Sequence, residues 1–138
     1  MTPEILARIT LARAERDLSD RARAAVGTAA AAVSPTERIR AARRSRQLVN
    51  EIVDLTVLVA ALAGTPWEEI AQSLSRRDPG TVEAEYADAV AAWKAMSREE
   101  LVAAAAVGAQ GLDAWYVRHR EDYDPAEENP VADLLNLD

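Results

Sequence analysis

The sequence predicts an all-α fold, a compact helical domain of about five helices followed by an irregular acidic C-terminal tail. Residues that can cap a helix N-terminus recur along the 138 residues, often with proline directly after them. Between these caps, apolar residues recur every three or four positions, as on one face of a helix. No segment shows the bounded alternation of apolar and polar residues that is typical of a strand. These three observations together predict a domain built from helices.

Three helix starts carry the stronger signal of a capping box. In each, a hydroxyl residue is followed three residues later by glutamate, so that the two side chains can accept hydrogen bonds from each other's backbone N–H groups. These starts are at Ser34, Thr65 and Ser97. Proline directly follows a cap residue at Thr2, Asp78 and Asp124, which marks further starts.

The first two predicted helices are long. Helix 1 covers residues 3 to about 26, and helix 2 covers residues 35 to about 63, where Gly64 ends it. The apolar stripe of helix 2 is widened in its C-terminal half by three leucines, Leu48, Leu55 and Leu58. We therefore expect this half to be the most buried helical segment of the domain.

Shorter helices follow. Helix 3 covers residues 66 to about 75, helix 4 covers 79 to about 95, and helix 5 starts at 98, breaks or bends at Gly108 and Gly111, and ends near 120. We predict a single helical domain over residues 1–123. Residues 124–138 form the acidic tail, which is expected to be extended or mobile until it docks.

Composition excludes several kinds of site. The chain has no cysteine, which excludes a disulfide framework, a thiolate zinc site and a cysteine nucleophile. Charged residues interrupt the apolar positions of the first 18 residues, so neither a signal peptide nor a membrane span is predicted. His119 is the single histidine and is expected at the surface. We expect a cytoplasmic protein with no cofactor and no bound metal.

The net charge of −7 conceals an asymmetry between the two halves. Residues 1–50 carry a charge of +5 and residues 51–138 a charge of −12. Arginines cluster in helix 2 at positions 38, 40, 43, 44 and 46. Such a cluster can bind phosphate groups, or it can neutralise the acidic half of its own chain or of a second copy.

Residues 66–95 have the apolar spacing of a helix-turn-helix unit. Trp67, Glu69, Ile70, Ala71 and Leu74 match a pattern W-x-E-I-A-x-x-L, and Val82 and Tyr86 match the apolar positions of a second helix. The segment 58–86 resembles the helix-turn-helix of actinobacterial regulators related to sigma-factor region 4, and 112–119 is also similar to a C-terminal helix of such proteins. The resemblance implies DNA binding and a role in transcription regulation.

The residues depart from that family where DNA would be contacted. Pro79 and Gly80 occupy the positions that reach base edges, and Glu85 replaces an arginine expected to contact phosphate. The turn also has one residue more than the family pattern. Six residues remain as candidate DNA contacts, three in this unit and three in the arginine cluster: Arg76, Arg77, Thr81, Arg40, Arg43 and Arg44.

An enzyme is a third alternative. The pairs Glu51/Asp54 and Glu85/Asp88 resemble the magnesium-binding carboxylates of all-α nucleotide pyrophosphohydrolases. The family's E-E-x-x-E motif is incomplete, because Gln72 follows Glu68-Glu69. We therefore expect no catalytic residues and no enzyme activity.

Two functions remain. The first is a helix-turn-helix regulator with weak DNA contact made mainly to the phosphate backbone, assisted by dimerisation through helix 1. The second is a protein-interaction module, of antitoxin or sigma-factor-partner type, that binds a basic protein surface and no DNA. The dimer would use the apolar positions of helix 1, which are Ile5, Leu6, Ile9, Ala12 and Leu18.

Overall fold

The computed structural model describes residues 1–137, which contain seven α-helices and no β-strand. This confirms the all-α fold class. The predicted helix 5 is divided in two at Gly111, whose φ is 77°, and a last short helix lies in the tail. The helices are α1 Pro3–Gly27, α2 Pro35–Leu62, α3 Trp67–Ser73, α4 Pro79–Lys94, α5 Arg98–Ala109, α6 Leu112–His119 and α7 Ala132–Leu135.

Most predicted caps form. The Ser97/Glu100 capping box is complete, and the side chains of Ser34 and Asp78 each accept a hydrogen bond from a backbone N–H of the first turn that follows. Two predicted starts were wrong: within residues 1–137 no helix begins directly after Asp124, and α3 begins at Trp67 after an extended Pro66 and not behind a Thr65 cap. Thr65 instead belongs to the end of α2, where its backbone N–H donates to the Ala60 carbonyl at 3.0 Å.

Helices α1 and α2 form a long antiparallel hairpin. The Arg38 guanidinium closes its loop by donating to the carbonyl oxygens of Thr28 and Ala31 at 3.1 and 3.0 Å. Most side chains of residues 20–47, the distal half of the hairpin, are exposed. We call this segment the arm. Helix α6 contacts its base, where the Trp115 indole N–H donates to Asp20 Oδ1 at 2.9 Å, and beyond that point the arm projects from the rest of the domain as two helices.

The main core forms around the first half of α1. Ile5, Leu6 and Ile9 are buried there with residues of α5, α6 and the tail, and Ile9 has 0% of its surface exposed. The expectation that the C-terminal half of helix 2 is the most buried was wrong, because α2 buries only Val57 and Leu58 among the described residues. An amphipathic stripe shows that a face is apolar, but the number of elements that cover it depends on the tertiary fold.

Gly108 explains how α5 approaches α1 so closely. A Cβ at this position would lie 3.1 Å from the Ile9 Cγ2 atom, tighter than ordinary van der Waals contact. The glycine therefore lies inside α5, where it allows close packing, and the helix break occurs only at Gly111.

A second, smaller core joins the C-terminal half of α2 to α3 and α4. Its buried residues are Val57, Ile70, Ala71 and Val82, of which Val82 is 0% exposed. The rings of Trp67 and Tyr86 stack beside it with centroids 6.5 Å apart. This arrangement is compatible with a helix-turn-helix-like unit.

Part of the tail docks on the domain. Val131 is buried in the main core, and the Asp113 carboxylate accepts hydrogen bonds from the backbone N–H groups of Val131 and Ala132 at 2.8 and 3.0 Å. The Tyr116 hydroxyl also donates to the Pro125 carbonyl at 2.6 Å. The tail thus begins to fold back within ten residues of α6, whereas Asp138 lies outside the described residues.

The turn between α3 and α4 starts with a residue in left-handed conformation. Ser75 has a φ of 56°, its backbone N–H donates to the Gln72 carbonyl, and the Arg76 N–H donates to the Ala71 carbonyl at 2.8 Å. This is the hydrogen-bond pattern of a Schellman motif, in which glycine is the usual residue at the left-handed position.

Ser75→Gly is therefore expected to raise the free energy of unfolding by about 0.5–1 kcal/mol, because glycine adopts this conformation without a Cβ clash. Ser73→Gly is the matched control. Ser73 ends α3 as a regular helical residue, so glycine there should lower the stability by up to about 1 kcal/mol. Urea denaturation measures both changes, and equal effects at the two positions would contradict the strain at Ser75.

Candidate functional site

Two of the three residues predicted to contact DNA in the helix-turn-helix-like unit, Arg76 and Thr81, bond to other residues of the same chain. The Arg76 guanidinium pairs with the Glu85 carboxylate, with nitrogen–oxygen distances of 2.9 and 3.4 Å. The hydrogen bond from Arg76 lowers the pKa of Glu85, and the same bond raises the pKa of Arg76. Both side chains are exposed, so the pair contributes little to stability, but it places an anion beside the arginine that was expected to contact phosphate.

Thr81 and Arg77 differ in their partners. The Thr81 hydroxyl donates to Asp78 Oδ2, and the Gly80 N–H donates to Asp78 Oδ1 at 3.1 Å. The bond from Thr81 has the larger effect and the bond from Gly80 the smaller one, and both lower the pKa of Asp78. The Thr81 hydroxyl is therefore used in the cap of α4. Arg77 is exposed, and its guanidinium makes no hydrogen bond or ion pair with residues 1–137.

The arginine cluster lies far from this unit. Arg40, Arg43 and Arg44 are exposed on the arm, whereas α3 packs on α2 near Val57. Since a helix rises about 1.5 Å per residue, the 13 residues from Arg44 to Val57 correspond to about 20 Å along the α2 axis. The structure does not bring the two predicted groups of arginines together.

Sequence reasoning missed a cleft that is formed by three helices. It has a volume of about 680 Å³ and lies between the first half of α1, the C-terminal half of α2 and α4. Its lining includes six apolar residues and four carboxylates. The apolar residues are Ala14, Leu48, Leu55, Leu58, Ala89 and Trp93, and the carboxylates are Asp17, Glu51, Asp54 and Glu85.

Several of the carboxylates already have partners. The Tyr86 hydroxyl donates to Asp54 Oδ1 at 2.8 Å, Asp17 pairs with Arg16 at 3.0 Å, and Glu85 pairs with Arg76. Burial, followed by the bond to Asp54, raises the pKa of Tyr86 to about 12, so this hydroxyl stays protonated at neutral pH.

The remaining charges leave the cleft negative. Glu51 makes no ion pair or side-chain hydrogen bond within the described part of the chain. Arg13 also lines the cleft but donates to the Val107 carbonyl at 3.0 Å. Two of the four carboxylates, Asp17 and Glu85, are paired with arginines, whereas Glu51 and Asp54 have no cationic partner among residues 1–137. These two and Arg13 leave the cleft with a small net negative charge that favours cationic over anionic groups.

The two E-x-x-D pairs gave the only sequence signal for this cleft. Glu51, Asp54 and Glu85 line it, but Asp88 does not. Within residues 1–137, no three acidic or histidine side chains lie close enough together to hold a metal ion. His119 lies at the end of α6, where its Nδ1 is 2.8 Å from the Trp115 carbonyl oxygen and its ring packs on the Trp115 indole.

The apolar residues proposed for a helix 1 dimer are mostly used inside the chain. Ile5, Leu6 and Ile9 are buried in the main core. They are therefore not available to a second copy, and only Ala12 and Leu18 of the proposed surface remain partly accessible.

Comparison with known proteins identified no relative: no protein-family model, no curated protein and no solved structure matches the chain. Within residues 1–137, no helix combines the length and the apolar character needed to cross a membrane. The function must therefore be inferred from the chain's own residues and their geometry.

Proposed function

We propose that this protein is an interaction module whose cleft binds an amphipathic helix with basic flanks from a protein partner. The observation that carries this proposal is the combination, in one cleft, of an apolar lining with four carboxylates, two of which, Glu51 and Asp54, have no cationic partner in the described part of the chain. Burial of apolar side chains would supply most of the affinity, and the carboxylates would select basic flanks.

The dimensions of the cleft suit a helix. Its α2 wall extends over eleven residues, from Leu48 to Leu58, which span about 15 Å, or nearly three helical turns. That length accommodates anchor residues at positions i, i+3 or i+4, and i+7 of a bound helix, which is the usual pattern of helix-in-groove recognition. The volume of about 680 Å³ also lies within the range of about 300–1,000 Å³ for binding pockets.

A synthetic peptide tests this proposal directly. A labelled amphipathic helical peptide with leucine anchors and arginine flanks should bind dilute protein, and its affinity should fall about tenfold with Glu51→Arg, because an attraction in the cleft becomes a repulsion. The same anchors with glutamate flanks should not bind.

Glu68→Arg is the matched control for the peptide experiment. It makes the same charge change at an exposed residue of α3 that does not line the cleft. Fluorescence anisotropy should show unchanged affinity for this variant. Equal binding of the basic and acidic peptides, or equal losses with the two variants, would contradict the proposal.

DNA contact is the second candidate function, and the exposure of Arg77 and of the arm arginines favours it. In that case, the protein is a regulator that contacts mainly phosphates, with an affinity that falls steeply with salt. The pairing of Arg76 with Glu85 opposes this function, since the carboxylate repels a phosphate at the same position.

A further inference from the structure

We infer that the cleft of one chain receives the arm of a second copy, in a twofold-symmetric dimer in which two α2 helices run antiparallel. The inference rests on the proposed function, because it requires the cleft to bind a basic helix, and it names the arm as that helix. The stripe of the arm that faces the cleft carries Arg40, Arg44 and Gln47, so charge pairing rather than apolar anchoring makes this contact. In such a dimer, each chain uses the same surface, which must therefore be complementary to itself.

The face of α2 that lines the cleft continues into the arm. Glu51, Leu55 and Leu58 recur every three or four residues along this face, and the same spacing extended toward the N-terminus reaches Gln47, Arg44 and Arg40. This stripe of α2 therefore carries two arginines in its first half and a carboxylate followed by two leucines in its second half.

This order of charges makes the stripe self-complementary. Arg40 lies seven residues before Gln47, and Asp54 lies seven residues after it. If a twofold axis passes near Gln47, antiparallel pairing places Arg40 of each chain opposite Asp54 of the other, and Arg44 within one residue of Glu51. Parallel pairing in the same register would instead oppose like charges, so the charge pattern selects the antiparallel dimer.

The arm is about as long as the cleft, and most of its side chains are exposed to solvent. From Pro35 to Gln47, α2 extends about 18 Å, close to the 15 Å length of the cleft wall. The exposed side chains include Arg40, Arg44 and Gln47 on the stripe that would enter the cleft. A second copy would place this two-helix arm against a third and a fourth helix, as in a four-helix bundle.

The absence of cysteine allows a direct test of the predicted axis. With Gln47→Cys, the two introduced thiols should face each other, and mild oxidation should convert most of the protein to a disulfide-linked dimer of twice the 14.9 kDa chain mass. Val49→Cys is the control, since it is also exposed on α2 but lies about 200° around the helix from position 47. Equal rates of cross-linking for the two variants would overturn the inference.

A charge exchange tests the pairing itself. Arg44→Glu and Glu51→Arg should each weaken the dimer about tenfold, because each contact occurs twice in a twofold dimer. An equimolar mixture of the two variants should restore the wild-type dissociation constant, because every reversed residue then meets its complement. Light scattering that shows a wild-type monomer at high micromolar concentration, or no recovery in the mixture, would overturn the inference.

The double variant Arg40→Glu/Arg44→Glu separates this inference from the proposed function. It changes the arm but leaves the cleft residues intact. If this variant binds the basic peptide while the wild-type chain is monomeric, the cleft is a docking site and the second copy is not its occupant. If the variant does not bind the peptide, the proposed function itself fails.

Discussion

Ile9→Ala is expected to lower the free energy of unfolding by about 2–5 kcal/mol, the range for large-to-small changes in a well-packed core. Ile9 is 0% exposed and packs against α5, where Gly108 allows an approach closer than ordinary van der Waals contact with a Cβ. The cavity left by truncation cannot be filled by movement of α5 without disturbing its other buried residues, Leu101 and Ala105. Chemical denaturation measured by circular dichroism tests this result.

Ile39→Ala is the matched control for this truncation. It makes the same chemical change at a residue that is 62% exposed on the arm, so the free energy of unfolding of the monomer should change by less than about 0.5 kcal/mol. If the two variants are equally destabilised, α1 is not the core helix. Should Ile39 lie in a dimer interface, its truncation would change the dissociation constant of the dimer, which is measured separately.

Local signals predicted the helix boundaries well. The starts of α1, α2, α4 and α5 follow the cap residues and prolines of the sequence, and Gly64 ends α2 with a φ of 87°. Capping depends on atoms within about four residues of one another, and the sequence specifies these atoms directly. The Thr65 cap failed because the end of α2 uses the Thr65 N–H in its own termination, and the two local signals overlap at one residue.

Tertiary features could not be predicted in the same way. The burial of Ile9 depends on residues 101–112 and on Val131, which lie about 90 to 120 positions away in the chain. The cleft depends likewise on the convergence of α1, α2 and α4, which no local pattern specifies. The spacing of Glu51 and Asp54 did indicate one wall of the cleft, because residues three apart share a helix face.

The ion pair between Arg76 and Glu85 was not predicted from the sequence. In the sequence, Arg76 and Glu85 are nine positions apart and were interpreted separately, one as a phosphate contact and the other as a repulsive charge. The turn at Ser75 folds α4 back on α3, so the two side chains meet at 2.9 Å and each reduces the effect of the other. The resemblance rests on core positions, and it therefore gave no information about this pair.

Glu85→Arg is expected to have opposite effects on the two candidate ligands. For a basic peptide in the cleft, it replaces a carboxylate of the lining with a cation, and the affinity should fall about tenfold. For DNA, it releases Arg76 and adds a second guanidinium, so the slope of log affinity against log salt should become steeper by about two units. Between ~50 and ~200 mM salt, the variant should then lose about tenfold more DNA affinity than the wild-type protein.

The control for this reversal is Glu83→Arg, which makes the same charge change on α4 at an exposed residue that neither lines the cleft nor pairs with Arg76. It should leave peptide affinity unchanged and should add at most one unit to the salt slope of any DNA binding. Weaker peptide binding with Glu85→Arg alone, together with no duplex binding by the wild-type chain at ~50 mM salt, would support the interaction module over the regulator. Tighter DNA binding with unchanged peptide affinity would contradict the cleft proposal, because it would place α4 at the phosphate backbone and leave the carboxylates of the cleft without a ligand.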